Sequence, residues 1–198
     1  LDGRAFHTLT RGMEKPWSSV IRDGMLRIGK ELLTDISGAK LAYTQSDEIF
    51  ILVTDYDQLT TQPWFGKNIQ KIVSVSASIA TLAFNHVTNL NATFDSRVFV
   101  LPPDEVCNYF ISRQQDCMRN SIQGYAQSFF SPKQLHGLNS NQLQEKIFQE
   151  KGLNWSDLES WKKRGICSFR SSSVDFSAIE TDMDAPVFTQ DRNYVEKF

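Results

Sequence analysis

Apolar residues recur at Ile21, Met25, Ile28 and Leu32, the i, i+4, i+7, i+11 spacing of one helix face. Ser18 and Ser19 stand just before that run, where a hydroxyl can cap a helix. The pattern predicts a helix reaching about Asp35 and broken at Gly38. The period then shortens: "KLAYTQ" and "IFILVTD" are β-type runs on either side of "SDE", which reads as a hairpin. A second helix is predicted from about Lys67 to Val87, with Ile69, Ile72, Val73, Ala80, Phe84 and Val87 on one side. "ATFDSRVFVLP" follows as a strand that Pro102 and Pro103 terminate. "LDGRAF", at the other end, lacks a methionine and looks like the end of a strand, so we expect the native chain to start upstream.

Strand, helix, strand, strand, helix, strand is the split βαβ order of ferredoxin-like folds. The expected class is therefore α+β: a palm-like core over 1–103, an antiparallel sheet with helices on one face. Beyond Pro103 the pattern turns mainly helical, with helices over Asp104 to about Phe130, Ser140 to about Lys151 and "WSDLESWKK". We expect 104–198 to form a helical lobe packed on the core as one unit, with "APVFTQDRNYVEKF" as a tail able to fold back on it. "SFRSSSVDFS" (Ser168 to Ser177) is Ser-rich and reads as loop or weak strand. In the long helix, Tyr109, Arg113, Asp116, Asn120, Gln123 and Gln127 share one face; Cys107, Phe110, Ile111, Met118, Ile122, Tyr125 and Phe129 share the other. The polar face is a solvated surface or a hydrogen-bonding one.

Composition narrows the functional classes. The 198 residues are 40% hydrophobic, enough for a core, and carry a net charge of −2, so no global polycation announces nucleic acid. A local basic groove stays open. The three cysteines, Cys107, Cys117 and Cys167, follow no CxxC or Cys/His zinc spacing. They read as reduced thiols, and the expected location is cytoplasmic. No apolar run approaches the ~18 residues of a membrane span.

"AYTQSDEIFILV" places two carboxylates, Asp47 and Glu48, between strand-like runs. The ferredoxin-like order makes the first and third strands neighbours, so Asp2, ending the first, and Asp47, leading into the third, could meet at one sheet edge. Gly3 has no side chain to keep a ligand from its carbonyl. Carboxylates with a nearby carbonyl suit Mg2+, which brings phosphates with it, and two such ions ~4 Å apart suit phosphoryl transfer. The alternative is an ordinary polar turn with a solvated Asp2. Lys67 and Lys71 sit at a predicted helix start, where the macrodipole disfavours them unless a triphosphate is present; otherwise they are solvated. Lys15, in the stiff "MEKPW" loop, could hold a phosphate, and His7 could contact a nucleotide or fill a polar niche.

Taken in order, "LDGRAFHTL", "EKP", "AYTQSDE", "FDSRVFVLP", "YFISRQQDCMRNSI", "KKRG" and "PVFTQDRNYVEK" resemble the tRNA-His guanylyltransferase superfamily. The resemblance spans nearly the whole chain. That family has a palm-like core and runs polymerisation in reverse, adding nucleotides to a tRNA 5′ end. Eukaryotic members specific for histidine tRNA carry "HINNLYN" after the "RQxDC" element; here "MRNSIQG", Met118 to Gly124, keeps only the first asparagine, as Asn120. The chain is thus more similar to the guanylyltransferase-like proteins of bacteria, archaea and phages, which resemble template-dependent tRNA repair enzymes.

The resemblance implies that Asp2, the Gly3 carbonyl and Asp47 hold two Mg2+ ions, with Glu48 in support. It implies nucleotide contacts from Arg4, Ala5, Phe6, His7, Lys15, Ser46, Lys67, Lys71 and Asn120. Paired arginines often stand in the family where this chain has Lys67 and Asn68, which implies fewer phosphate contacts here. Arg113, Asp116, Lys163 and Arg164 are the implied tRNA-end contacts, ATP and GTP or other NTPs the substrates, and a homotetramer the assembly. Three activities share these residues: templated 3′–5′ addition, dedicated guanylation of histidine tRNA, and a palm-type nucleotidyl cyclase. A catalytically idle RNA-binding module is the non-enzymatic rival.

Overall fold

The computed structural model describes residues 1–171 and 178–198. Its centre is a six-stranded antiparallel sheet in the order β4-β1-β3-β2-β5-β6. In chain order the elements begin with β1 (Asp2–Gly3), α1 (Phe6–Leu9), α2 (Ser19–Asp35), β2 (Ala39–Gln45) and β3 (Glu48–Val53). They continue with α3 (Ile69–Thr88), β4 (Phe94–Asp95), α4 (Pro103–Gln127), α5 (Pro132–Leu135) and α6 (Ser140–Lys151). The last are α7 (Ser160–Arg164), β5 (Ile166–Arg170), β6 (Ile179–Asp182) and α8 (Asn193–Glu196). The mixed α+β class and the adjacency of the first and third strands agree with the sequence pattern.

The α2 stripe does what its spacing requires: Met25, Ile28 and Leu32 are fully buried against Ala42, Ile49 and the α3 residues Ala80 and Phe84. Ser18 holds the N-cap position in extended conformation, but its side chain makes no capping bond. Gly38 has φ +81°, and a Cβ there would lie 2.0 Å from the Thr54 carbonyl, so the turn into β2 requires glycine. The β2–β3 hairpin closes through Ser46 and Asp47 alone, with Gln45 paired to Glu48 and Ser46 at φ +48°. α2 and α3 cover one face of the sheet; α4 and the tail residues Ala185, Phe188 and Val195 cover the other, over Leu41 and Tyr43. The tail folds back as expected, held by Gln114, which donates to the Pro186 carbonyl (2.9 Å) and accepts from the Phe188 N–H (2.8 Å).

Five differences stand out. The segment after Pro103 is not purely helical, because β5 and β6 extend the sheet beyond β2. β4 is only two residues long: β1 offers a matching two, and Val98, Phe99 and Val100 run on exposed and unpaired. α3 starts at Ile69 and its N-cap, Asn68, accepts from the Lys71 N–H; Lys67 precedes it at φ +64°. Ile69 and Val87, read as part of the buried stripe, are exposed. Tyr109, assigned to a polar face, instead packs edge-on to Phe50, Phe99 and Phe110, and the buried face of α4 includes Gln114, Cys117 and Ser121. Residues 172–177, within the Ser-rich stretch, lie outside the described residues; Ser168–Arg170 belong to β5.

Candidate active site

Strand pairing assembles the acidic cluster. β1 is in register with β3 through Asp2 and Glu48 and with β4 through Asp2 and Asp95, while the Gly3 N–H donates to the Asp47 carbonyl at 3.0 Å. Directly paired residues point to the same face, with Cβ atoms about 5 Å apart. Gln45, Glu48, Asp2 and Asp95 therefore form one row across four strands on the α4 face, and Asp47 stands in the turn beside it. β1 and the hairpin thus meet at one end of the sheet, as the strand order requires.

Electrostatics at this end are unfavourable for the protein alone. Burial lifts the Asp47 carboxyl above the ordinary carboxylate range, and the charges of Asp2 and Glu48 push the same way. The Ser46 hydroxyl, donating to Oδ1 at 2.9 Å, and the residue's own backbone oppose the rise. Glu48 Oε2 accepts from Gln45 Nε2 at 2.7 Å. Among the described residues no group of three or more His, Cys, Asp or Glu is gathered as a metal cluster. Two carboxylates, with Glu48 turned to Gln45, still fit Mg2+, which takes one or two protein carboxylates and completes its shell with water and phosphate oxygens. A cation there would relieve the buried charge on Asp47.

Gly3 has a second reason to be glycine: a Cβ would lie 2.3 Å from the Phe6 ring. Phe6 packs edge-on to Phe84 and Phe94, with ring centroids 5.3 Å from each, so its side chain belongs to the core and leaves only its backbone to a ligand. Arg4, Ala5 and His7 are exposed in the turn and short helix just past β1, beside the carboxylates. Ser46 and Lys15 are exposed too, the latter ahead of a cis peptide bond to Pro16.

Other expected residues make contacts of their own within the protein. Lys67 binds Asp55 at 2.5 Å, beyond the far end of β3. Glu48 to Val53 alone spans roughly 16 Å at about 3.3 Å per residue, so within one chain Lys67 is held away from Asp47. Lys71 is exposed at the first turn of α3, its ammonium 5.9 Å from the Phe65 ring. Arg113 bonds Asp116, which also bonds Arg119, and its guanidinium lies 5.8 Å from the Phe50 ring and 5.9 Å from that of Tyr109. Asn120 is exposed on the same helix. Lys163 reaches the Ser156 carbonyl (2.5 Å), and Arg164 the Ala185 carbonyl (2.9 Å) and Ser160 (2.6 Å), so both are engaged within the protein. Sequence reasoning gave no role to Gln45 or Asp95. The signal for both was parity, since each falls in register with the carboxylate row.

The family model of tRNAHis guanylyltransferase matches residues 1–102, which carry all four of these strands. A bacterial tRNA(His) guanylyltransferase-like protein in complex with ATP is 50% identical, with a TM-score of 0.95, covering 99% of this chain and 86% of that one. A second bacterial structure so described, in complex with GTP, is 44% identical, with a TM-score of 0.83, covering 99% of this chain and 85% of that one. The probable tRNA(His) guanylyltransferase of Drosophila melanogaster is 24% identical over 193 residues, 88% of this chain and 66% of that protein, so the chain spans about two thirds of this relative's length. With the matched strands carrying the paired carboxylates, the chain belongs to the tRNAHis guanylyltransferase family, a family of nucleotidyltransferases.

Proposed function

We propose that this protein adds nucleotides to the 5′ end of tRNA in the 3′–5′ direction, templated by the opposite strand, as a 5′-end repair enzyme. The observation that carries the reading is the β1–β3 pairing of Asp2 with Glu48 beside Asp47, in a chain half identical to a guanylyltransferase-like protein that binds ATP. A tRNA 5′-monophosphate oxygen attacks the α-phosphorus of ATP, and pyrophosphate leaves. The 3′-hydroxyl of the incoming NTP, paired with the template base, then attacks the activated 5′ phosphorus, and AMP leaves. A 5′-triphosphate end reacts without the first step and releases pyrophosphate.

Asp2, Asp47 and the Gly3 carbonyl are the groups that would hold two Mg2+ ions. Those ions, when bound, supply acidity to the hydroxyl and counter-charge to the triphosphate. The protein's part is positional. β1 and β3 fix the two carboxylates by backbone pairing, and the exposed residues Arg4, Ala5 and His7 border them where a nucleotide would lie. Phosphoryl transfer needs little covalent help from side chains, so such orientation and charge placement carry most of the catalysis. Lys67 and Lys71 serve a triphosphate only if it approaches from beyond the far end of β3, or from a second chain of a homotetramer.

The test uses a 5′-labelled, monophosphorylated tRNA lacking its first nucleotide, with ATP, Mg2+ and each NTP singly. Growth by one nucleotide, only with the NTP complementary to the template, is the expected result. Growth with GTP whatever the template assigns the chain to guanylation of histidine tRNA. A product formed from NTP without RNA assigns it to cyclisation, and tRNA binding without growth to a binding module.

A further inference from the structure

Gln45 is the one buried polar side chain in the carboxylate row. Only 5% of its surface is exposed, and it projects from the last residue of β2 onto the α4 face. Its Nε2 donates to Glu48 Oε2 at 2.7 Å, whereas its own Oε1 is buried without a hydrogen-bond partner among the described residues. A carboxylate of the ionised form only accepts, so the amide must present its nitrogen to Glu48. Leucine would fill the same volume without an unpaired acceptor, and an unpaired buried acceptor destabilises a fold. The amide is therefore explained by what it does for Glu48, not by packing.

What it does follows from the register. Glu48 has Asp2 opposite it on β1 and Asp47 next to it in the chain, and repulsion from both would drive its carboxylate about. The Gln45 donor, on the side away from Asp2, turns that carboxylate toward β2. Asp2 and Asp47 are then left as a two-carboxylate site, with Glu48 as a fixed anion alongside rather than a third ligand.

We infer that Gln45 is a positioning residue for the nucleotidyl transfer site: it holds Glu48 beside the Asp2–Asp47 pair and sets how that pair takes a divalent cation. The inference rests on the site proposed above, but its test separates the two. It is a double-mutant cycle of Gln45→Leu and Glu48→Ala, read in two ways. One is the single-turnover rate of nucleotide addition to the truncated tRNA; the other is Mn2+ binding in the presence of GTP, followed by electron paramagnetic resonance.

Supporting groups around metal sites are typically worth about 10- to 100-fold. Gln45→Leu is expected to lower the rate by about that factor, with KM for the NTP changed less than about twofold, and to weaken Mn2+ binding. In the Glu48→Ala background the same substitution is expected to change neither quantity by more than about twofold, because its object is gone. Equal losses in both backgrounds, or no loss in either, would overturn the assignment. If wild-type protein adds nothing to tRNA, the proposed reaction fails while the Mn2+ arm still decides the role of Gln45. Gln45→Met, similar in length and without the donor, replaces Gln45→Leu should the latter fail to fold.

Discussion

At the residue scale, one-atom clearances decide several positions. A methyl on Gly3 meets the Phe6 ring at 2.3 Å, and the ring is locked between Phe84 and Phe94. Gly3→Ala is therefore expected to destabilise by about 1–3 kcal/mol, the usual cost of overpacking, measured by urea denaturation. An unchanged midpoint would show that Phe6 has room to move. The thiols give a second prediction. Burial pushes Cys117 up to about 11 and Cys167 up to about 12, and raises Cys107 as well. At pH 8 the reactive thiolate is a trace at Cys117 and Cys167 and is disfavoured at Cys107, and all three thiols are buried. A thiol reagent should label none of them in folded protein and all three in denaturant; rapid native labelling of Cys167 would contradict its burial in β5 beneath α4 and the tail.

Elements were legible where periodicity and length agreed. α2 and α6 follow from their apolar spacing, and α6 carries Asn139 and Gln142 as a reciprocal capping box. β5 and β6 were not legible because a strand of four or five residues with serines and charges has no alternation to set it apart from loop. Their place at the sheet edge comes from pairing with β2, a tertiary contact. The carboxylates were legible for a topological reason: once the first and third strands are neighbours, Asp2 and Asp47 must converge. The basic residues were not, since spacing says nothing of which partner a lysine takes; Lys67 has Asp55 and Lys163 the Ser156 carbonyl. Element joints can be tested through Lys40 at the start of β2, which binds Asp57 beyond β3 at 2.6 Å. The Lys40 contact holds the Asp57 carboxyl below its ordinary value. A depressed carboxyl gives stability that is present above its unfolded pKa of about 3.9 and lost as pH falls through the folded value. The pair is half exposed, so Asp57→Asn should cost under about 1 kcal/mol at pH 7 and nothing once both states are protonated. A loss that persists at the acid end would point to the Thr54 hydroxyl bond at 3.0 Å instead.

At the scale of the whole molecule, residues from both halves of the chain build one sheet, and the site sits at one end of it. The segment 1–102 supplies the carboxylates, while β5, β6 and the tail close the opposite edge and face. Gln114 ties α4 to the tail, because its amide donates to the Pro186 carbonyl and accepts from the Phe188 N–H. Gln114→Leu should destabilise by about 1–3 kcal/mol, the cost of stranding buried partners, and raise hydrogen exchange in the tail before the sheet. Uniform exchange across the chain would show that the tail is not held there. No described helix is long and apolar enough to cross a membrane.

In the proposed function, backbone pairing of β1 with β3 brings Asp2 and Asp47 together as a cation-dependent transfer site. Its most direct measurement is the Mg2+-dependent rate of single-nucleotide addition to truncated tRNA by Asp2→Asn and Asp47→Asn, alongside tRNA affinity. A rate loss of at least about 100-fold is expected in each, the scale of a lost electrostatic group at a transferring centre, with tRNA affinity within about threefold of wild type. Retention of wild-type rate and Mg2+ dependence by either variant would contradict it.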